Sequence, residues 1–333
     1  MTELVSILIP AYNAENWIRD TIKSALNQTW PRKEIIIVDD GSTDNTLRIA
    51  KQFESTIVKV VTQENRGACA ARNKALSLAQ GDYIQWLDAD DLLAFDKIAN
   101  QMARSDKGVA SKVLLSAVCG HFFYRTTKAR ILPDLCWKDL TPVEYLLTKF
   151  THGFGMLTHT WLVSRYLTEI AGPWDERLTK DQDGEYSCRL AHLSEGVKFV
   201  SEAICYYRRG NFSSLNNDIS DKALQSLFLS MSLCIKYLLR LEDSERTRAA
   251  SIKHLTNNLF YFYPDKHEIL QKIDRLAQEL SGTILTPNES RKFYLFRKLF
   301  GWTNAKKMKN ILWKSEVFAR RNWDRLLYNL SSK

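Results

Sequence analysis

The sequence predicts an α/β fold built on a mostly parallel sheet with helices on both faces, and three observations carry that prediction. Four apolar runs in the first ninety residues are continuous rather than alternating, as strands buried on both faces require. A helix-period segment follows each of the first three runs. Each run also ends in a polar cluster, and open α/β sheets bind ligands at the carboxyl ends of their strands.

Val5 to Ile9 is the first run, closed by Pro10, and Ile18, Ile22, Ala25 and Leu26 then recur at helical spacing. Glu34 to Val38 is the second, ended by Asp39-Asp40-Gly41, and Ser42 to Asp44 supply caps for a helix carrying Leu47, Ala50 and Phe53. Ile57 to Val61 is a third strand, Gly67 to Leu78 a third helix, and Tyr83 to Leu87 a fourth strand running into Asp88. Beyond it the pattern mixes. A helix is expected near Phe95 to Ala103, strands near Val113 to Tyr124 and Lys198 to Tyr207, and helices around Thr141 and Gln182 to Ala191. From about residue 218 onward only helical periodicity remains. The expected division is therefore 1–215, split into halves at 1–92 and 93–215, followed by a helical region 216–333.

At 333 residues the chain is long enough for about two domains. Its composition, 45% hydrophobic and 26% charged, excludes a disordered or collagenous chain. The richest apolar stretch, Leu224 to Leu241, is broken by Ser226, Ser230, Ser232, Lys236 and Arg240, and the N-terminus lacks a basic start and cleavage site. A cytosolic protein is expected. Six cysteines without a CxxC pair and six histidines without HExxH point to reduced, buried thiols rather than disulfides or zinc.

The net charge of +9 has one address. Residues 288–333 hold 12 Lys/Arg against 3 acids, whereas the rest is balanced at 35 of each. Arg291 to Phe300 and Lys306 to Lys314 interleave bases with aromatics. Three readings of this tail stay open: an amphipathic helix on an anionic membrane, a helical hairpin packed on the body, and nucleic-acid binding. A neutral body argues against a nucleic-acid partner for the chain as a whole.

No GxGxxG, GxxxxGK[ST] or GxSxG is present, so a dinucleotide fold, a P-loop NTPase and a serine hydrolase lose their main support. Carboxylates stand in their place. Asp88 and Asp90 follow a strand directly, and continued strand alternation would set them on one side, about 7 Å apart. Oxygen donors in that arrangement suit a divalent cation on a diphosphate. Asp39-Asp40 ends a second strand at the same sheet edge. Acids after strands are often only turn residues or caps, but two such turns on one edge favour a site.

Four segments in order, Val5-Ser-Ile-Leu-Ile-Pro-Ala-Tyr-Asn13, Ile36-Ile-Val-Asp-Asp-Gly-Ser-Thr-Asp44, Asn65-Arg-Gly-Ala-Cys-Ala-Ala-Arg-Asn73 and Gly81-Asp-Tyr-Ile-Gln-Trp-Leu-Asp-Ala-Asp-Asp91, resemble the successive blocks of family 2 glycosyltransferases. The resemblance is dense over residues 4–93, weaker to about 215, and does not reach the last third. It implies the GT-A fold, a nucleotide-sugar donor, Mn²⁺ or Mg²⁺, and inverting transfer to a glycan or lipid-linked acceptor, as in cell-surface polysaccharide or glycolipid synthesis.

By position, the resemblance puts Pro10, Ala11 and the Tyr12 ring against the nucleotide base. Asp40 would read the base edge with Asp39 behind it, Asp88 would face the ribose, and Asp90 the metal. Arg72 approaches the phosphates or, as a surface residue, pairs with a neighbouring acid. Family members carry the catalytic base in a Glu-Asp pair opening a helix after a (F/W)DE(R/S)L segment. Here Trp174-Asp-Glu-Arg-Leu178 is followed by Gln182-Asp183, which makes Asp183 the base with Gln in place of Glu. Asp181 is a near neighbour, and both acids also suit a first helical turn as caps. Trp161, Trp174, Tyr206 and Tyr207 border the acceptor region without being assigned as contacts. The rivals are a nucleotidyltransferase, which would want a Gly-rich loop with a base after the first strand, and a non-catalytic nucleic-acid-binding protein, which would want a basic body.

Overall fold

The structure, a computed structural model, describes residues 2–105, 111–153, 155, 157–211, 218–284 and 290–331. The expected boundary near 215 and the edges of the tail fall outside these.

The chain opens with β1 (Val5–Ala11), α1 (Ile18–Leu26), β2 (Lys33–Asp39), α2 (Thr46–Lys51), β3 (Val58–Thr62), α3 (Ala68–Leu78) and β4 (Tyr83–Trp86). These strands are parallel in the order β3-β2-β1-β4. Their continuous apolar runs feed two cores at once. Val5, Ile7, Ile9, Ile35 and Ile37 pack on one face, Leu8, Ile36, Val38, Ile84 and Trp86 on the other. That explains why alternation is missing from these strands. Strand order reverses between β1 and β4, a topological switch point, and ligand crevices of open α/β sheets lie at such points.

Short β5 (Leu92–Leu93) and α4 (Lys97–Ala103) lead to β6 (Val113–Phe122), β7 (Arg130–Ile131), α5 (Pro142–His152), β8 (Val163–Ser164), α6 (Arg165–Ala171), α7 (Gln182–Leu193) and β9 (Gly196–Arg208). The two-residue β8 adds an antiparallel edge to the first sheet, and β5-β9-β6-β7 form a second. Neither β7, β8 nor α6 was expected, being too short to show a period.

The helical region comprises α8 (Asp221–Leu241), α9 (Glu245–Phe262), α10 (His267–Glu279) and α11 (Arg291–Ser331). Leu224, Met231, Ile235, Leu255 and Ile273 join the core that holds Trp86, Trp174 and Tyr186, so this region shares its interior with the sheet. By length and composition α8 is apolar enough to cross a membrane, but its apolar face is that shared core. The backbone of α11 leaves helical geometry at Gly301, with φ of 75°. All six cysteines are free and buried.

Candidate active site

At the switch point a cleft of about 380 Å³ opens. The end of β1 contributes Pro10, Ala11 and Tyr12, the last with its ring half exposed. Asp40, Gly67, Asp88 and Asp90 come from the loops after β2, β3 and β4, Arg72 from α3, and Asp181, Gln182 and Asp183 from the start of α7. A second hollow of about 420 Å³ near Trp174 and Tyr237 is lined by ions that already neutralise one another, Arg189 with Glu185 and Arg177 with Asp175.

Each carboxylate has a distinct environment. Asp39 lies beneath the cleft, its Oδ2 accepting from Ser42 N and from Thr62 Oγ1, both at 3.2 Å, while its buried Oδ1 has no partner among the described residues. Asp40 accepts from Gln63 Nε2 at 2.7 Å, Arg66 N at 3.0 Å and Gly67 N at 2.8 Å. It thereby fixes the loop that opens α3, where Gly67 takes φ of 91° and a side chain would be strained.

The extended geometry expected for Asp88 and Asp90 is corrected. The strand ends at Trp86, and Asp91 N donates to Asp88 O at 3.1 Å, closing a turn. The turn still delivers both side chains to the cleft. Asp88 accepts from Arg72 Nη2 at 2.7 Å. Asp90 Oδ2 accepts from Asn211 Nδ2 at 2.9 Å, and burial beside Asp91 pushes its carboxyl up to about 7. The two carboxylates offer hard oxygen donors of the kind a Mg²⁺ or Mn²⁺ ion takes.

Asp91 does not line the cleft. It is buried, with His159 Nδ1 2.9 Å from its Oδ2 and Arg208 N donating to its Oδ1 at 2.8 Å. Burial works against a charge on His159, but Cys205 and Asp91 outweigh it and the imidazole shifts well upward. Ligand-type atoms of Cys119, His159 and Cys205 lie within 4.8 Å of one another there, a juxtaposition that no spacing in the sequence announces. Arg208 also donates Nε to Asp90 O at 2.8 Å, so β9 grips this turn from behind.

Arg72 is not the surface residue that its helix position suggested. It is buried, stacks 4.4 Å from the Trp174 ring, and donates Nη1 to Gln182 Oε1 at 2.9 Å. Gln182 thus serves as a neutral acceptor for the guanidinium.

The two acids of α7 part company. Asp181 adopts a left-handed backbone (φ 58°), and its Oδ2 accepts from Ser230 Oγ at 2.6 Å. Its carboxyl lies over Gly184, where a Cβ would collide with it. Asp183, half-buried in the same cleft, has no hydrogen-bond or ion-pair partner among the described residues. Trp161 and Trp174 are core residues. Asn211, Thr158 and Lys180 also line the cleft and were not anticipated, because they reach it from segments far along the chain from the Asp-rich turn.

The chain is similar to several proteins named glycosyltransferases. TuaG of Bacillus subtilis, named a putative teichuronic acid biosynthesis glycosyltransferase, is 49% identical over 102 residues, covering 30% of this chain and 40% of that one. GlyG of Streptococcus pneumoniae, named a glycosyltransferase, is 27% identical over 276 residues, covering 74% and 89%. The chain therefore spans about two fifths of TuaG and most of GlyG. Among solved structures, S. aureus TarS 1–349 in complex with UDP-GlcNAc superposes with a TM-score of 0.69 at 18% identity, over 94% of this chain and 92% of that one, a likeness of fold. The sequence profile of glycosyl transferase family 2 matches residues 6–169, which run from within β1 into α6 and include the whole Asp-rich edge. Through these residues the chain belongs to glycosyl transferase family 2, on a GT-A fold.

Proposed function

We propose that the chain is an inverting glycosyltransferase that moves a sugar from a nucleotide diphosphate to an acceptor hydroxyl, in building a cell-surface glycan. The observation that carries this reading is the Asp183 carboxylate, without a partner among the described residues, in one cleft with Asp88 and Asp90. An acid that a folded chain leaves unpaired beside a phosphate-type site is available to take a proton. The donor class we infer is a UDP-sugar, in line with the TarS complex, and the acceptor a glycan or lipid-linked glycan, in line with TuaG's name.

In this reading the nucleotide base stacks on Tyr12 above Pro10 and Ala11, with Asp40 at its edge. Asp88 faces the ribose, and Arg72 holds Asp88 in place while lending positive charge near the phosphates. Asp90 would hold a divalent ion, which when bound would supply charge neutralisation on the leaving diphosphate. Asp183 accepts the acceptor hydroxyl's proton as that oxygen attacks the sugar carbon from the face opposite the diphosphate. Inversion follows from that single displacement. Asp181 shapes the turn that aims Asp183.

Screening nucleotide sugars by nucleotide release, with Mn²⁺, with Mg²⁺ and in EDTA, tests the reading. Metal-dependent release from one UDP-sugar is expected. Metal-independent release, or none from any donor with or without glycan acceptors, would refute it.

A further inference from the structure

We infer that the second half of α11, after Gly301, is an in-plane membrane helix whose outward face seats on an anionic lipid surface. This goes beyond the donor chemistry and does not depend on it. On an α-helix successive residues turn by about 100°, so Phe318, Ile311, Leu326, Leu312, Leu330 and Trp323 fall within one arc of roughly 140°. All six are exposed, from 51% at Leu326 to 64% at Trp323 and Leu330. Ser315, Asn322 and Asn329 share the arc and no charged residue interrupts it. Lys307, Lys314 and Arg325 form an exposed row along one flank.

The opposite face is committed to the body. Asp324 accepts from Tyr124 N at 2.9 Å, Arg125 N at 3.1 Å and Arg125 Nε at 2.7 Å. Arg321 Nη1 donates to Gly210 O at 2.9 Å, and Val317 is buried. These bonds fix the rotation of the helix, so the apolar arc cannot turn inward. The body thus takes one face and leaves the other uncovered, and the membrane and packing readings of the tail describe opposite sides of one helix.

Charge selects the occupant. The tail concentrates the chain's entire net charge of +9, and seating two copies face to face would bring two such tails together. An anionic bilayer meets both features: it accepts the aromatic and leucine side chains into its interface and draws the flanking bases to its phosphates. The arc is also wider than a coiled-coil seam. Gly210 adjoins Asn211, which holds Asp90, so this docking would place the donor cleft beside the lipid surface where a lipid-linked acceptor resides.

The test is co-sedimentation of the full chain with vesicles of phosphatidylcholine alone or mixed with phosphatidylglycerol. Binding to the mixed vesicles alone, weakened by salt, is expected. The doubly substituted Phe318→Glu/Leu326→Glu chain should lose about tenfold or more of its bound fraction. Lys307→Glu/Lys314→Glu/Arg325→Glu should abolish the preference for phosphatidylglycerol. Nucleotide release from donor should stay unchanged in both, which separates failure here from failure of the donor reading. Equal sedimentation of the native and Phe318→Glu/Leu326→Glu chains would overturn the inference. So would a concentration-dependent dimer that the same pair of substitutions dissolves, since a second copy would then own the face.

Discussion

Arg72 and Asp88 form an ion pair at 2.7 Å across which the two walls of the cleft are joined, because the same guanidinium reaches Gln182 on α7. The pair is half-shielded, with the Asp88 side chain 32% exposed. Its value lies in geometry more than in Coulomb energy: a planar fork serves two acceptors at once and stacks on Trp174 as well. Arg72→Lys keeps the charge but cannot span both acceptors. Stability should fall by about 1–3 kcal/mol, read by denaturant unfolding, and donor affinity should fall with it. Unchanged donor affinity in Arg72→Lys would mean that Asp88 needs no partner to meet the nucleotide.

Gly184 is required by close approach rather than by its backbone angles. A methyl group there would meet the Asp181 carboxyl, which Ser230 pins in place. Gly184→Ala should therefore displace the first turn of α7, costing about 1–3 kcal/mol and lowering transfer through the misplaced Asp183. Thermal unfolding together with a transfer assay checks this. Wild-type behaviour in both would show that Asp181 yields freely.

The pH dependence of Asp181 has a definite sign. Burial, opposed by Lys149 and reinforced by Asp183, raises its carboxyl from 3.8 to about 6. The folded chain then holds a proton that the unfolded chain has released, so this group's contribution to stability grows as pH falls from about 7 toward about 4. Asp181→Asn keeps an acceptor for Ser230 and removes the titration. Measured against that variant, the native chain should gain about 1–2 kcal/mol between about pH 7 and pH 4. Parallel stability curves over that range would contradict the assignment.

Much of the fold is legible in the sequence. Buried parallel strands advertise themselves as unbroken apolar runs, and Asp39, Asp40, Asp88 and Asp90 follow them directly. What stayed hidden depends on contacts across the chain. Asn211 bonds Asp90 from 121 residues away, and Arg208 grips Asp91 from 117. The different surroundings of Asp181 and Asp183 also needed the fold, since both suit a helix start and only packing shows that Ser230 holds the first. The turn at Asp88 to Asp91 defeated simple strand alternation because its own backbone bond takes over. The tail's charge was countable, but which face it turns outward depends on Asp324 and Arg125 meeting.

Asp90 bears on the metal. Asp90→Ala removes an oxygen donor from a buried site, so release of nucleotide from donor should fall to background while thermal stability is kept or rises, a buried carboxylate having been removed. Retained Mn²⁺-stimulated release would move the ion to other ligands.

The proton acceptor is the centre of the account, and transfer rates of Asp183→Asn and Asp181→Asn under saturating donor and acceptor, with donor affinity from calorimetry alongside, test it most directly. Asp183→Asn should lose about 10² to 10⁴ in rate with donor affinity within about twofold of native, whereas Asp181→Asn should stay within about tenfold. The reverse pattern, or full activity in Asp183→Asn, would contradict it.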